Sequence, residues 1–408
     1  MDAGIDAGLP APVNTVVFDW YLRGAVEEYS IGAAATATHI VWVRYVSGPS
    51  GKLTTLVRAT GALVTTAATD LAPYNVVSSG NTVGFLGRGV QSISDWRVQW
   101  IDETGTASVR SNAMDVVVTG ASFVGAMYPE ADAGLKVHVS APKNSSGTHV
   151  SAITSQDGGV QRTENTCGNT FWWDAATADG SNRRFFIGGV NLQPCNLGNG
   201  QYVTAPVGQV QLVLVRYSGV NGPGVPTVRE LTAASKTLAG PAALGATADA
   251  VWIAYYAPSG HLRLERYSPD TVNSQGAVQA AGQAYVTAST TLGLQVLDVV
   301  PHPVRDRVYV LSTVLEPKST WGSEVFPTFN QPTLAIFLFE ASTRKLLGVW
   351  WVPSTNAPKS GSSMALIDER LVVSGQCDAT PAAGTTDLLC NPGASGFPSS
   401  FLFAFPAP

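Results

Sequence analysis

Apolar positions along this chain fall in short bursts with a two-residue period, and residues 245–270, GATADAVWIAYYAPSGHLRLERYSPD, show the unit most clearly. Val251, Ile253 and Tyr255 alternate with Trp252, Ala254 and Tyr256, so both faces of the segment are apolar. That pattern predicts a strand packed on two sides. Ala-Pro-Ser-Gly then supplies a reversal, and 262–267 predicts a second strand.

The same burst recurs as THIVWVRYV (38–46), NTVGFLGRG (81–89), THVSAITS (148–155), RRFFIGGV (183–190), DAVWIAYY (249–256), DRVYVLSTV (306–314) and ERLVVSGQ (369–376). A second alternating strand follows most copies, and then a more polar one such as ALVTTAA (62–68) or TVRELT (227–232). Repetition at roughly the length of a four-stranded blade, about 40–50 residues, predicts an all-β fold: a β-propeller of seven four-stranded blades. Residues 113–165 resist division into four strands, so six blades, or two β-sandwiches meeting near 120–140, stay open. The chain ends on an aromatic strand with Phe401, Phe403 and Phe405, while NTVVFDWYL (14–22) has no preceding partner. Pairing the N-terminal strand with the C-terminal blade would close the ring and remove two free edges. The predicted organisation is a tether at 1–13 and a single propeller domain at 14–408.

Composition agrees. The 408 residues exceed the size at which one undivided core keeps growing, about 250–300 residues, so a fold of repeated small cores is favoured. Charged residues make up only 13%, the net charge is −5, and no basic cluster exceeds the pair Arg183–Arg184. Nucleic-acid binding needs concentrated positive charge and is therefore disfavoured. No apolar run approaches the ~20 residues of a membrane-spanning helix.

Cys167, Cys195, Cys377 and Cys390 sit in Gly/Asn/Pro-rich, loop-like sequence. Their spacing suits Cys167–Cys195 and Cys377–Cys390 bridges, among three possible connectivities, and implies an oxidising compartment. No Cys-x-x-Cys is present and no His lies near a Cys, so neither a metal nor a cofactor is expected. The opening MDAGIDAGLPAPVN resembles the tether behind the leader of a bacterial exported protein or lipoprotein, with any lipid anchor upstream. Periplasmic, outer-membrane-anchored and extracellular locations all fit.

Residues 298–350 resemble one repeat of lactonase-type propellers with Tyr-Val-Thr-Asn repeats. Pro303, Val308–Val310, Glu340, Thr343 and Lys345 occupy the turn, strand and outer-strand positions of that repeat, while Leu311 and Ser312 replace Thr-Asn. The resemblance implies blade construction. A sialidase-type Asp-box is echoed once, by Ser155, Asp157 and Gly159, without its aromatic.

In an up-and-down blade, the loop after the second strand and the loop between blades emerge at the same end of the ring. The long interruptions 191–208, 315–332 and 376–399 all fall there, together with the cysteines. Such loops on a rigid scaffold are where binding residues gather. Their aromatics Tyr202, Trp321, Phe326, Phe329 and Phe397, with Trp172 at a strand start nearby, are the candidate binding residues. Asp174, Asp179, Asp378, Asp387, Glu316 and Glu324 are the acids assigned to that face, and no nucleophile elbow, metalloprotease or nucleotide motif accompanies them. His302 reads as a solvated turn residue, and His39 and His149 as hydrogen-bonders at blade edges. The expected function is a secreted or surface-anchored, non-enzymatic scaffold holding a protein partner or glycan. The alternatives are an extracellular hydrolase or lyase acting on a polymer or lactone, and a structural subunit of a surface assembly.

Overall fold

The computed structural model describes residues 13–46, 50–89, 94–114, 123–129, 134–142, 148–166, 171–191, 194–197, 200–207, 209–218, 225–231, 234–235, 241–257, 261–272, 274–279, 294–314, 320–321, 324–325, 331–343, 345–352, 358–378, 387–391 and 397–408. Seven sheets, each with four antiparallel blade strands (consecutive in the chain in all but blade 7, whose fourth comes from the N-terminal segment), make up the fold, with no helix among the described residues. We number them as blades 1 to 7, spanning 28–69, 71–110, 124–166, 171–230, 243–279, 294–351 and 359–406. Their first strands touch in cyclic order, blade 7 meeting blade 1, so a ring of seven inner strands surrounds the axis.

The two-residue period explains how the ring holds together. Val251, Ile253 and Tyr255 enter the core shared with blade 4, whereas Trp252, Ala254 and Tyr256 enter the core shared with blade 6. Likewise Val308 and Val310 face blade 5, and Tyr309 and Leu311 face blade 7. Seven such clusters occupy the seven inter-blade gaps. Each middle strand is thus buried on both faces, which a doubly apolar strand requires.

Closure follows the expected route with one refinement. Trp20–Val26 pairs antiparallel with the C-terminal strand Ser399–Pro406 and supplies the outermost strand of blade 7. Residues 14–22 are not one strand, however. Val13–Thr15 pairs in parallel with Leu346–Trp351 as a fifth strand on blade 6. Between the two segments Val16 is buried in the core of blades 6 and 7, and the Phe18 ring lies 4.8 Å from that of Phe403. Trp20 reaches on to blade 1, where a Cβ at Gly61 would meet its indole at 2.5 Å; this turn glycine has φ +69°.

Blade 3 corrects the strand register. Its second strand is Leu135–Pro142, and Thr148–Ser155, aligned above with the second strands of the other blades, is the third. The Asp-box echo lies in the turn after it, where Asp157 Oδ1 accepts from the Ser155 hydroxyl and from Gly159 N at 3.0 Å. The lactonase-like segment coincides with blade 6, and its outer turn is tied by the Thr343 hydroxyl bonding Glu340 and receiving Lys345 N.

Five inner strands carry register breaks, at Ile31, Tyr74, Asp174, Leu297 and Ser362. A bulge re-aims the side chains beside it. Here several point at the next blade. Asp298 Oδ2 accepts from Met364 N of blade 7 at 2.7 Å, and Ser363 Oγ accepts from Ala33 N of blade 1 at 3.1 Å. Asp174 Oδ2 accepts from Ala242 N, at the entry to blade 5, at 3.2 Å.

Candidate functional site

The three long interruptions of blades 4, 6 and 7 each separate the second strand of a blade from its third. That end of the ring, the insertion face, also holds the starts of the inner strands. In blade 4 the insertion folds into a short hairpin, Cys195–Asn196 against Tyr202–Val203. Cys195, Leu197 and Val203 are buried in the core of blades 3 and 4, so the hairpin is clamped down on the ring. Tyr202 points away and is 65% exposed.

In blade 7 the insertion is closed by the Cys377–Cys390 disulfide, as spacing suggested. Lys359 Nζ and Asp387 Oδ2 form a buried ion pair at 2.7 Å beneath it. Burial opposes the Asp387 charge, but Lys359 and the N–H groups of Leu389 and Cys390 together hold its carboxyl below the usual range. With its base fixed, the loop presents Phe397, 47% exposed, and Leu388. Cys195 is also disulfide-bonded, while Cys167 lies outside the described residues.

Of the other candidates, Trp172 is half-buried, packing against the core of blades 4 and 5 and donating its indole N–H to Asp174. Trp321 lies in a two-residue hairpin facing Glu324, and its side chain is not among those described. Phe326, Phe329 and Glu316 fall outside the described residues. Two tyrosines that sequence reasoning passed over join the face. Tyr29 opens the inner strand of blade 1, its ring 5.9 Å from that of Tyr45. Tyr74 sits at the inner-strand bulge of blade 2, edge-on to buried Trp96, which in turn stacks on Phe123. Their signal was an aromatic at an inner-strand start, a position read only as blade framework. Among the described residues five aromatics are exposed, and four of them, Tyr29, Tyr74, Tyr202 and Phe397, lie at this end; only Tyr21 is elsewhere.

Among the described residues Asp174, Asp179, Asp378 and Asp387 are each engaged in structural bonds, while Glu316 and the Glu324 side chain lie outside them. Asp179 belongs to the turn between the first two strands of blade 4, at the opposite end from its expected place, and pairs with Arg183. Asp387 is consumed by Lys359, and buried Glu28 by Arg44, by Lys52 at 2.6 Å and by Ala25 N at 3.0 Å. Burial raises Asp174 and Asp298 to about 7. Asp298 lines the axial cavity, about 290 Å³, whose wall takes small residues from all seven inner strands. Its two oxygens already receive Val299 N at 2.8 Å and Met364 N at 2.7 Å. Among the described residues no group of three or more His, Cys, Asp or Glu is placed to hold a metal.

Of the three histidines, His302 and His149 differ from expectation, while His39 does not. His302 is buried, not solvated: its Nδ1 accepts from Val304 N and Arg305 N, organising the turn, and Nε2 faces Glu369. His39 bonds the Glu103 carbonyl of blade 2 at 3.0 Å, a link between blade edges. His149 is enclosed between blades 3 and 4 rather than at an edge. A second hollow, about 340 Å³, opens between blades 5 and 6 at the end away from the insertions, lined by Asp249, Arg266, His302, Arg305, Asp306 and Arg307. Its charges are largely matched, Arg305 by Glu369 and Arg266 by Asp249.

No family model matches the chain. No curated protein matches it either. Solved structures do, across nearly their whole length. A chain of the Drosophila Plexin A complex with Semaphorin 1b superposes with a TM-score of 0.51 at 9% identity, covering 96% of this chain and 88% of that one. The WD40 repeats of RRP9 give 0.51 at 8% identity, covering 96% and 99%. A chain of the Mitotic Checkpoint Complex gives 0.51 at 10% identity, covering 99% and 100%. At such identities the likeness is one of fold alone, and the fold is a seven-bladed β-propeller.

Proposed function

We propose that this protein is an exported, non-enzymatic binding scaffold whose insertion face holds a protein partner or a glycan. The observation that carries the reading is the segregation of exposed aromatics: Tyr29, Tyr74, Tyr202 and Phe397 share the end where a disulfide and a buried ion pair brace the loops. Exposed tyrosine and phenylalanine on a rigid base offer large contact area at small entropy cost, which is how binding hot spots are built. The disulfide supports an oxidising location. A lipid anchor ahead of the described residues would place the face outward from a membrane.

The test is a Tyr202→Ala/Phe397→Ala double variant, screened beside the wild type on a polysaccharide array and by cross-linking to extracellular protein extracts. Loss of ~10-fold or more in binding, with the thermal midpoint within a few degrees, supports the reading, because exposed loop residues carry little core stability. Undiminished binding by the variant sinks it.

A hydrolase or lyase acting from the same axis is the second reading, favoured by one observation. Asp298, at the start of the lactonase-like repeat, faces the cavity with its carboxyl raised to about 7 by burial. Lactone or polysaccharide turnover abolished by Asp298→Asn would establish it in place of the scaffold.

A further inference from the structure

The outer edges of the blades are not equally protected. A free strand edge offers unpaired N–H and C=O groups to another strand, and proteins blunt it with charge, proline, shortness or a covering segment. Blade 2 ends on a four-residue strand, Ala107–Arg110. The outer strand of blade 3 carries Arg162 and Glu164, and that of blade 4 carries Pro226, Arg229 and Glu230. Blade 6 is covered by Val13–Thr15, and the edge of blade 7 carries Arg23 and a register break. Among the described residues blade 1 has no charge, proline, shortness or covering strand at its edge, and its one device is a register break at Val64. Its outer strand Leu63–Thr69, LVTTAAT, is uncharged, lacks proline and glycine, and is exposed at every position from 63 to 68. Among the described residues no further strand pairs with it. Leu63 and Val64 are 60% and 50% exposed.

We propose that this edge is an interface between two copies of the chain, paired antiparallel across a two-fold axis at Ala67. Blade 6 shows that an outer edge of this propeller accepts an added strand. A second copy is the occupant because the segment is self-complementary. Its register break lies at Val64, leaving Thr65–Thr69 as a regular stretch. Antiparallel self-pairing of that stretch places only Thr and Ala opposite Thr and Ala, with no like charges facing. Leu63 and Val64 of each copy then flank the pairing and lose exposure. Such a contact is isologous and closes on itself, giving a dimer rather than a fibre. Edge pairing of this length buries less than the ~1,200 Å² of a stable interface, so the dimer is weak and concentration-dependent.

Sedimentation equilibrium up to millimolar protein tests it, with a Thr65→Lys/Ala67→Lys variant that sets like charges across the axis. The wild type should dimerise reversibly and the variant at least ~10-fold more weakly, with the same thermal midpoint, since both positions are exposed. An Ala67→Cys variant should also cross-link to a covalent dimer on oxidation, which keeps the test sound should the double variant misfold. A wild type that stays monomeric overturns the proposal. So does a folded lysine variant that dimerises equally well, or a cysteine variant that never cross-links.

Discussion

The indole N–H of Trp173 donates to Nε2 of His149 across 2.7 Å, tying blade 4 to blade 3 inside the fold. Trp can only donate, so Nε2 carries no proton and the neutral ring holds its hydrogen on Nδ1. Ser140 Oγ stands 2.7 Å from the same nitrogen, and Phe171 and Trp173 enclose the ring. His138, wholly buried beside Phe186 and Tyr217, has no partner for either ring nitrogen among the described residues. The Arg184 guanidinium, set over the Tyr128 ring at 4.4 Å, is the charge facing it.

Burial therefore lowers His149 to about 3, and burial with Arg184 and His149 nearby lowers His138 well below its ordinary value. The unfolded chain takes up these protons below about pH 6.5 and the folded chain does not, so their contribution to stability is complete above that pH. It falls away as pH drops from there toward 3. Denaturant unfolding of wild type and His149→Gln at pH 7, 5 and 4 reads this out. The variant should be less stable at pH 7, and the gap should close by a few kcal/mol toward pH 4. A gap independent of pH would contradict the buried neutral histidine.

Asp298 titrates with the opposite sign. Its carboxyl is raised to about 7, so its protonated form belongs to the fold, and the associated stability is complete below about pH 4 and lost as pH rises through 7. Asp298→Asn cannot ionise. Relative to wild type it should gain stability between pH 4 and pH 8, by no more than a few kcal/mol because the side chain keeps some access to the axial cavity. Thermal midpoints of the two proteins across that range give the comparison.

Removing the Cys377–Cys390 bridge by a double Ser substitution should cost about 3 kcal/mol, the chain entropy of a loop of this size. Lys359→Met should cost about 3–5 kcal/mol, because Asp387 would remain buried without its cation. If the loop is an independent appendage, calorimetry will show neither loss in the main unfolding transition.

Much of this architecture was legible along the chain. Doubly apolar strands such as 251–256 need a neighbour on each side, and a ring of sheets provides that at every blade, so alternation alone implied the inter-blade cores. Insertion placement followed from the up-and-down connectivity, and the Cys377–Cys390 pairing from proximity. Blade 3 was not legible, and the reason is physical. Lys136, His138 and Ser140 alternate with Val137, Val139 and Ala141, a pattern that in isolation describes a strand with one wet face. Here that polar face is buried against the aromatics of blade 4: His138 meets Phe186 and Tyr217, and Ser140 bonds His149 of its own blade, which in turn receives the Trp173 indole. Polarity records which bonds a side chain can make, and only the neighbouring blade decides whether water or protein makes them. The bulges belong to the same class: nothing local marks Asp174 or Asp298, because their partners, Ala242 N and Met364 N, come from the next blade. Outside blade 3 and residues 14–22, the sequence by itself determined the strands, their order and which end bears the loops. Which polar groups clasp blades, and which aromatics stay exposed, was decided by packing between segments far apart in the chain.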